Sequence, residues 1–311
     1  MKALNTTYLF AIKLLIVSLV ILYLAYKIYT NDVFDTLPKY SNYKLNFIGL
    51  VFSLSILNWG LEAKKWQILV SSIRRFSFFE SYKSVLAGLS VGIFTPNRIG
   101  NFIGRLAWID KANRQQATIN TLIGNLAQFI VTVVLGIVGF VLVVYYKFNI
   151  EHEWFIFLFA LLFMVTSTVL YFKPSLILKT FLKRFLPKKS QQHIIHIEGK
   201  PKSFKLYILG LSLLRYLTFL TQYKLLFSAF NMHIYWGLMF GLISTVYLLT
   251  TIIPSVFFGK LFVRESVAVF VFSLVDIEIA LILLVAFLLW LINLAIPASI
   301  GGIIWLKKSK Q

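Results

Sequence analysis

The chain has 311 residues, 59% hydrophobic and 14% charged, with a mean hydropathy of +0.82. A soluble domain is about half apolar and about a quarter charged, so little room is left for one here. The net charge of +20 lies mainly in loops between apolar runs, which suits membrane orientation and anionic headgroups and argues against nucleic acid.

Tyr8 to Tyr29 is too long for a signal-peptide core, and "AYKIYT" is a poor cleavage site, so it reads as an uncleaved first span. A loop over 30–44 with two Asp and two Lys follows. The second span covers 45–61, its helix running on to about 72, and Glu62 with Lys65 at i+3 reads as an ion pair at the membrane edge. Segment 62–84 is basic through Lys64, Lys65, Arg74, Arg75 and Lys83.

The apolar region 78–110 is broken at Pro96. Ser81 to Thr95 and Ile99 to Ile109 would make helices of about 22 and 16 Å, too short for a hydrocarbon core of about 30 Å. Both flanks are basic, so the segment reads as a re-entrant helical hairpin. Pro96 and Gly100 shape its turn, and Asn97 and Arg98 stand at its tip. The third span, 117–145, carries a polar stripe of Thr121, Asn125, Gln128 and Thr132 beside glycines that permit close helix approach.

A loop over 147–153 and a span over 154–172 lead to loop 173–205, which holds nine Lys/Arg against Glu198 alone. Span 206–228 places Ser212, Arg215, Thr218 and Gln222 on one helical face, with Lys224 snorkelling at its end. Region 234–275 breaks at Pro254, with Gly259, Lys260, Arg264 and Glu265 after the break. It reads as a second hairpin entering from the opposite side, and charge alone also allows two full spans. Asp276 and Glu278 precede a last span, 279–305, and a tail with Lys307, Lys308 and Lys310. By the positive-inside bias both termini face the cytoplasm.

The expected fold is an all-α polytopic membrane protein, with about six full spans plus two proline-tipped re-entrant hairpins in an inverted repeat. One integral membrane domain covers 1–311: a first repeat over 1–146, a basic cytoplasmic linker loop over 173–205, and a second repeat of 154–172 plus 206–306. Inverted repeats whose broken elements meet near the midplane are a recurrent transporter plan.

Charged groups inside a span cost about 2.5–3.5 kcal/mol each on the insertion scale, so they mark function or structure. Arg98, Arg215, Lys260 and Arg264, with Asn97, Asn125 and Gln128, could converge on one cavity, where guanidinium forks suit phosphate oxygens. Glu62 and Glu265 are candidates for structural pairing or coupling, and Arg98 could equally cap carbonyls freed by Pro96. The stripe on 117–145 could also be interhelical glue.

Catalytic motifs are lacking, with no phosphate loop, HExxH, GxSxG or close carboxylate pair, and no cofactor is expected. With no cysteine, disulfides and thiolate chemistry are excluded. His152, His193, His196 and His233 lie outside the apolar runs, and no carboxylate cluster accompanies them, so no metal site is expected.

Four segments in order, "NWGLEAKKWQIL" (Asn58–Leu69), "FTPNRIGNFIGR" (Phe94–Arg105), "GNLAQFIVTVVLG" (Gly124–Gly136) and "IPSVFFGKLFVRES" (Ile253–Ser266), resemble the flippase-like membrane region of lysylphosphatidylglycerol synthase. The resemblance covers essentially the whole chain. It implies a role at lipid headgroups, with translocation of aminoacylated or other anionic lipids. In the family pattern an acidic residue commonly follows the first hairpin's glycine, where this chain has Asn101. Lys260 and Phe262 stand where an acid and a glycine are expected, which implies a more cationic pocket. In the synthase, amino-acid transfer belongs to a soluble domain beyond the membrane part. This sequence runs only six residues past Trp305, so lysyltransferase activity is not expected.

The reading is a multi-pass protein of the cytoplasmic (inner) membrane that binds a phosphate-bearing lipid and moves it between leaflets. The lipid is its partner, gripped by Arg98 and Arg264, with Arg215 lending field and Asn125 and Gln128 orienting the headgroup. Two alternatives remain. One is an enzyme acting on phospholipid or polyprenyl-phosphate lipids through Glu62, Glu265 or Asp110. The other is an accessory partner of such an enzyme, docking through 173–205.

Overall fold

The computed structural model describes residues 6–37, 39, 42–95, 99–147, 153–173, 176, 198–253 and 259–309. Every regular element among them is helical: α1 (Thr6–Thr30), the short α2 (Val33–Thr36), α3 (Leu45–Leu69), α4 (Phe78–Ile93), α5 (Gly100–Leu106), α6 (Arg114–Lys147), α7 (Glu153–Phe172), α8 (Lys202–Ala229), α9 (Trp236–Ile252), α10 (Gly259–Phe272) and α11 (Ile279–Trp290), which continues through a π turn at Leu291–Ala295 into α12 (Ile296–Ser309). Four stretches, Leu45–Leu69, Lys111–Lys147, Lys202–Ala229 and Ile279–Lys308, are long and apolar enough to cross a membrane. Shorter apolar helices occupy Leu14–Thr30, Leu161–Phe172 and Trp236–Ile252. The apolar runs drawn from sequence thus fall on helices, and the chain is a multi-pass helical membrane protein. Leu14, Leu15, Leu19 and Leu22 of α1 and Leu158, Leu161, Leu162 and Val165 of α7 are exposed, an apolar surface suited to lipid.

The α4–α5 region shows how local chemistry builds a hairpin. Ser77 and Glu80 form a capping box, in which Glu80 N–H donates to Ser77 Oγ at 3.2 Å and Ser77 N–H donates to Glu80 Oε2 at 2.8 Å. This satisfies two backbone donors and fixes where α4 starts. The helices are about 24 and 10 Å long, and they pack against each other. A Cβ on Gly104 would sit 2.5 Å from Gly88 Cα, so this approach of backbone to backbone requires glycine. Arg74 Nη1 donates to the Trp108 carbonyl at 2.7 Å while Nη2 meets Glu80 Oε1 at 3.4 Å. The start of α4 and the chain leaving α5 are therefore held together at one end, as a hairpin base requires. Residues 96–98, which include Pro96, Asn97 and Arg98, lie outside the described residues.

In the second half α9 and α10 also pack against each other, and the intervening 254–258, with Pro254, lie outside the described residues. Three further packings join the halves: α3 on α8, α4 on α12, and α6 on α9. Leu86 backbone of α4 meets Gly301 of α12, and Gly139 of α6 meets Ser244 of α9.

Pro297 shows how a long helix absorbs a proline. Lacking an N–H, it cannot donate to the carbonyl four residues back, that of Asn293. The chain relaxes into a π turn, and α3 supplies donors: Trp59 Nε1 reaches the Asn293 carbonyl at 3.1 Å and Ser55 Oγ the Ile292 carbonyl at 2.9 Å. These bonds also lock α3 to the α11–α12 helix.

Candidate anion-binding site

On α3, Asn58, Glu62 and Lys65 stand at i, i+4 and i+7 and so share one face. All three are buried, at 0%, 3% and 2% exposure. Glu62 is the hub. Its Oε1 accepts from Arg105 Nη2 at 2.9 Å, while Oε2 meets Arg215 Nη1 at 2.7 Å and Lys65 Nζ at 2.9 Å. Arg215 Nε also donates to Asn58 Oδ1 at 2.9 Å. Lys65 Nζ lies 3.5 Å from Ser212 Oγ, and Gln128 Nε2 donates to the Ser212 carbonyl at 3.3 Å. One carboxylate thus draws together α3, α5 and α8, which come from both halves of the chain.

Aromatic faces complete the enclosure. The Arg105 guanidinium lies 5.6 Å from the Trp66 ring centre, and that of Arg215 lies 5.1 Å from Trp59 and 5.7 Å from Phe219. Stacking of this kind suits guanidinium, which is weakly hydrated and planar.

Two features make the cluster incomplete. Three cations face one carboxylate, leaving two positive charges unneutralised among the described residues. In addition, the N–H groups Asn58 Nδ2, Trp66 Nε1 and Arg105 Nε are buried without a hydrogen-bond partner. Buried donors are nearly always satisfied, and both the charge and these donors call for acceptor oxygens.

The expected site residues divide into several groups. Arg215 and Glu62 belong to the cluster, and Gln128 supports it through Ser212. The Glu62–Lys65 pair exists, buried inside the protein and shared with two arginines. The α8 face of Ser212, Arg215 and Gln222 lies against α3, where Gln222 Nε2 donates to the Val51 carbonyl at 2.9 Å, whereas Thr218 bonds within its own helix. Asn125 is exposed, and no hydrogen bond joins it to the cluster among the described residues.

Arg264 is elsewhere. Its Nη2 donates to Glu265 Oε1 at 2.7 Å and to the Ala286 carbonyl at 2.8 Å, forming a second cluster in the α10–α11 region. Among the described residues no hydrogen bond links it to the Glu62 cluster, and Asn97 and Arg98, which the single expected cavity would include, lie outside them. Gly100 and Gly259 open α5 and α10, and the Lys260 side chain lies outside the described residues. Lys224 Nζ sits 3.3 Å from the Trp236 ring centre, as a residue anchored at a span end does.

Arg105, Asn58 and Asn120 were missed from sequence. Arg105, inside the second arm of the expected hairpin, was given no role, yet it is buried at 4% exposure. Asn58 is signalled by its i,i+4 relation to Glu62. Asn120, which donates to the Leu69 carbonyl at 2.6 Å, caps the end of α3 and had no distinguishing spacing. No group of three or more potential metal ligands occurs among the described residues.

The family model described as the lysylphosphatidylglycerol synthase TM region matches residues 10–301. No curated protein and no solved structure matches the chain. With nearly its whole length accounted for by that model, the chain belongs to the lysylphosphatidylglycerol synthase TM region family.

Proposed function

We propose that the protein binds a phosphate-bearing lipid headgroup at the Glu62 cluster and moves it between leaflets. The observation that carries the proposal is the buried surplus of cationic and N–H donor groups around a single carboxylate. Phosphate presents several acceptor oxygens and a negative charge, and paired guanidinium groups bind such oxygens in parallel. Acyl chains stay in the bilayer, so only the headgroup needs a polar path. Family membership supports a setting at lipid, and the lipid's identity follows from charge: it is anionic, or aminoacylated with its phosphate retained.

The inverted repeat belongs to the same proposal. Exchanging the halves, with α3 for α8, α4–α5 for α9–α10 and α6 for α11–α12, turns the α4–α12 packing into the α9–α6 packing. The packing of α3 on α8 maps onto itself. That correspondence supports two oppositely oriented hairpins around a shared axis, and the basic loops support a cytoplasmic-membrane setting with both termini inside. An enzymatic role for Glu62 has less support, since each of its oxygens already faces cations.

The test is transbilayer movement of fluorescent phosphatidylglycerol in proteoliposomes. Wild type moves the lipid, Arg105→Gln and Arg215→Gln each slow movement at least tenfold, and Asn125→Ala leaves it unchanged. A wild type that behaves like empty liposomes, or arginine variants that behave like wild type, would overturn the proposal.

A further inference from the structure

The second polar cluster is centred on Glu265 of α10. Glu265 is buried at 7% exposure. Its Oε1 is taken by Arg264, but Oε2 has no partner, and neither does Arg264 Nε. The hydroxyls of Tyr223 on α8 and Tyr247 on α9 are likewise buried and unpartnered. Both tyrosines lie within electrostatic reach of Arg264, and Tyr223 also within reach of Glu265.

These groups form a row. The Tyr223 and Tyr247 rings are 6.2 Å apart between centres, and Tyr247 and Tyr216 are 5.7 Å apart. Tyr216 lies beside Ser244 and is the chain neighbour of Arg215, which grips Glu62. By helical rise, Tyr223 stands about 9 Å and Tyr216 about 20 Å from the C-terminal end of α8, so the row descends along this helix from one carboxylate cluster toward the other.

Neither a metal nor a headgroup fits here. Aromatic rings fill the space between the polar atoms, with Tyr223 stacked on Phe227 and Phe272 at 6.0 and 5.7 Å, and Arg264 already supplies the local positive charge. A proton does fit, because a hydroxyl both accepts and donates. Carboxylates buried in membrane proteins serve as proton sites.

We infer that Glu265, served by Tyr223 and Tyr247, is a proton-binding site that couples lipid movement to a proton gradient. The inference rests on the translocation reading for its consequence, though not for the site itself. A hydronium ion gives its proton to Glu265 Oε2, an O–H bond forms, and water is left. The carboxyl becomes neutral, its pair with Arg264 is released, and the new O–H donates to a tyrosine hydroxyl. The coupling runs through α8, which bears Tyr216 and Tyr223 as well as Arg215. Other titratable or charged residues on the helices against α10 are Tyr8, Lys13, Tyr23, Tyr26, Lys27 and Tyr29 of α1, with Tyr247 of α9 and none on α11. Glu265 is thus the only carboxylate at this position among the described residues.

Infrared difference spectroscopy of the full-length protein in liposomes, with a pH step, tests the site directly. Wild type should show the carbonyl band of a protonated carboxylic acid that Glu265→Gln removes and that Tyr223→Phe shifts. In proteoliposomes with an imposed pH gradient, wild-type phosphatidylglycerol movement should change severalfold with the sign of the gradient. Glu265→Gln should move lipid at one rate whichever way the gradient points, and Tyr223→Phe should respond weakly. A band that survives Glu265→Gln, or a variant that follows the gradient as wild type does, overturns the inference. If no protein moves lipid, the translocation reading fails by itself, and the spectroscopic band still decides whether Glu265 takes the proton.

Discussion

Glu62 stabilises the protein only as part of its cluster. A buried carboxylate and a buried cation each lose several kcal/mol of hydration, which close pairing restores. Removing one partner therefore costs more than the pair itself contributes. Glu62→Ala is expected to destabilise by about 3–5 kcal/mol, measured as thermal unfolding in detergent, because it leaves Arg105, Arg215 and Lys65 facing one another. Adding Arg215→Ala should recover part of that loss, and a double variant as unstable as the sum of its parts would show that the groups act independently. At this scale the sequence was partly readable. Arg215 stood out as a charge well inside an apolar run, and Lys65 stood out at i+3 from Glu62. Arg105 did not, since its partner lies 43 positions away and no local spacing reports such a contact.

Among the elements, the hairpin of α4 and α5 depends on glycines that face each other. Gly104→Val should lower stability by about 1–3 kcal/mol, because the new side chain meets the Gly88 backbone, which cannot rotate away. Gly210, where an added Cβ would meet nothing within 4 Å, provides the contrast. There, Gly→Ala should raise stability by about 0.5–1 kcal/mol through helix propensity, and a loss at Gly210 as large as that at Gly104 would contradict the packing argument. Helix positions were legible because apolar runs and basic loops are long-range patterns. Prolines were only half legible. Pro96 and Pro254 mark breaks between helices, whereas Pro297 lies within a continuous helix. The difference is that Trp59 offers an N–H to the carbonyl Pro297 leaves free, and a donor from another helix cannot be read from the proline's own neighbours.

For the whole molecule, the absence of cysteine gives a clean background for topology. Single cysteines at Lys39 and at Lys200 should react with an impermeant maleimide from opposite sides of the membrane, the first in intact cells and the second only after permeabilisation. Labelling of both from one side would refute the proposed orientation. The pattern of packing between halves was beyond the sequence, for charge counts give sidedness and not which helix touches which. Seen across a full cycle, the hub carboxylate has a further consequence. A carrier must return without cargo, and a cationic seat stripped of any anion would resist that journey. On the proposed function, Glu62 is a tethered anion that partly fills the seat between passengers. A visiting phosphate then meets only the charge that Glu62 leaves unpaired, and gains less than it would in a bare cationic site. Weak capture and ready release follow, which are the properties of a shuttle and not of a store.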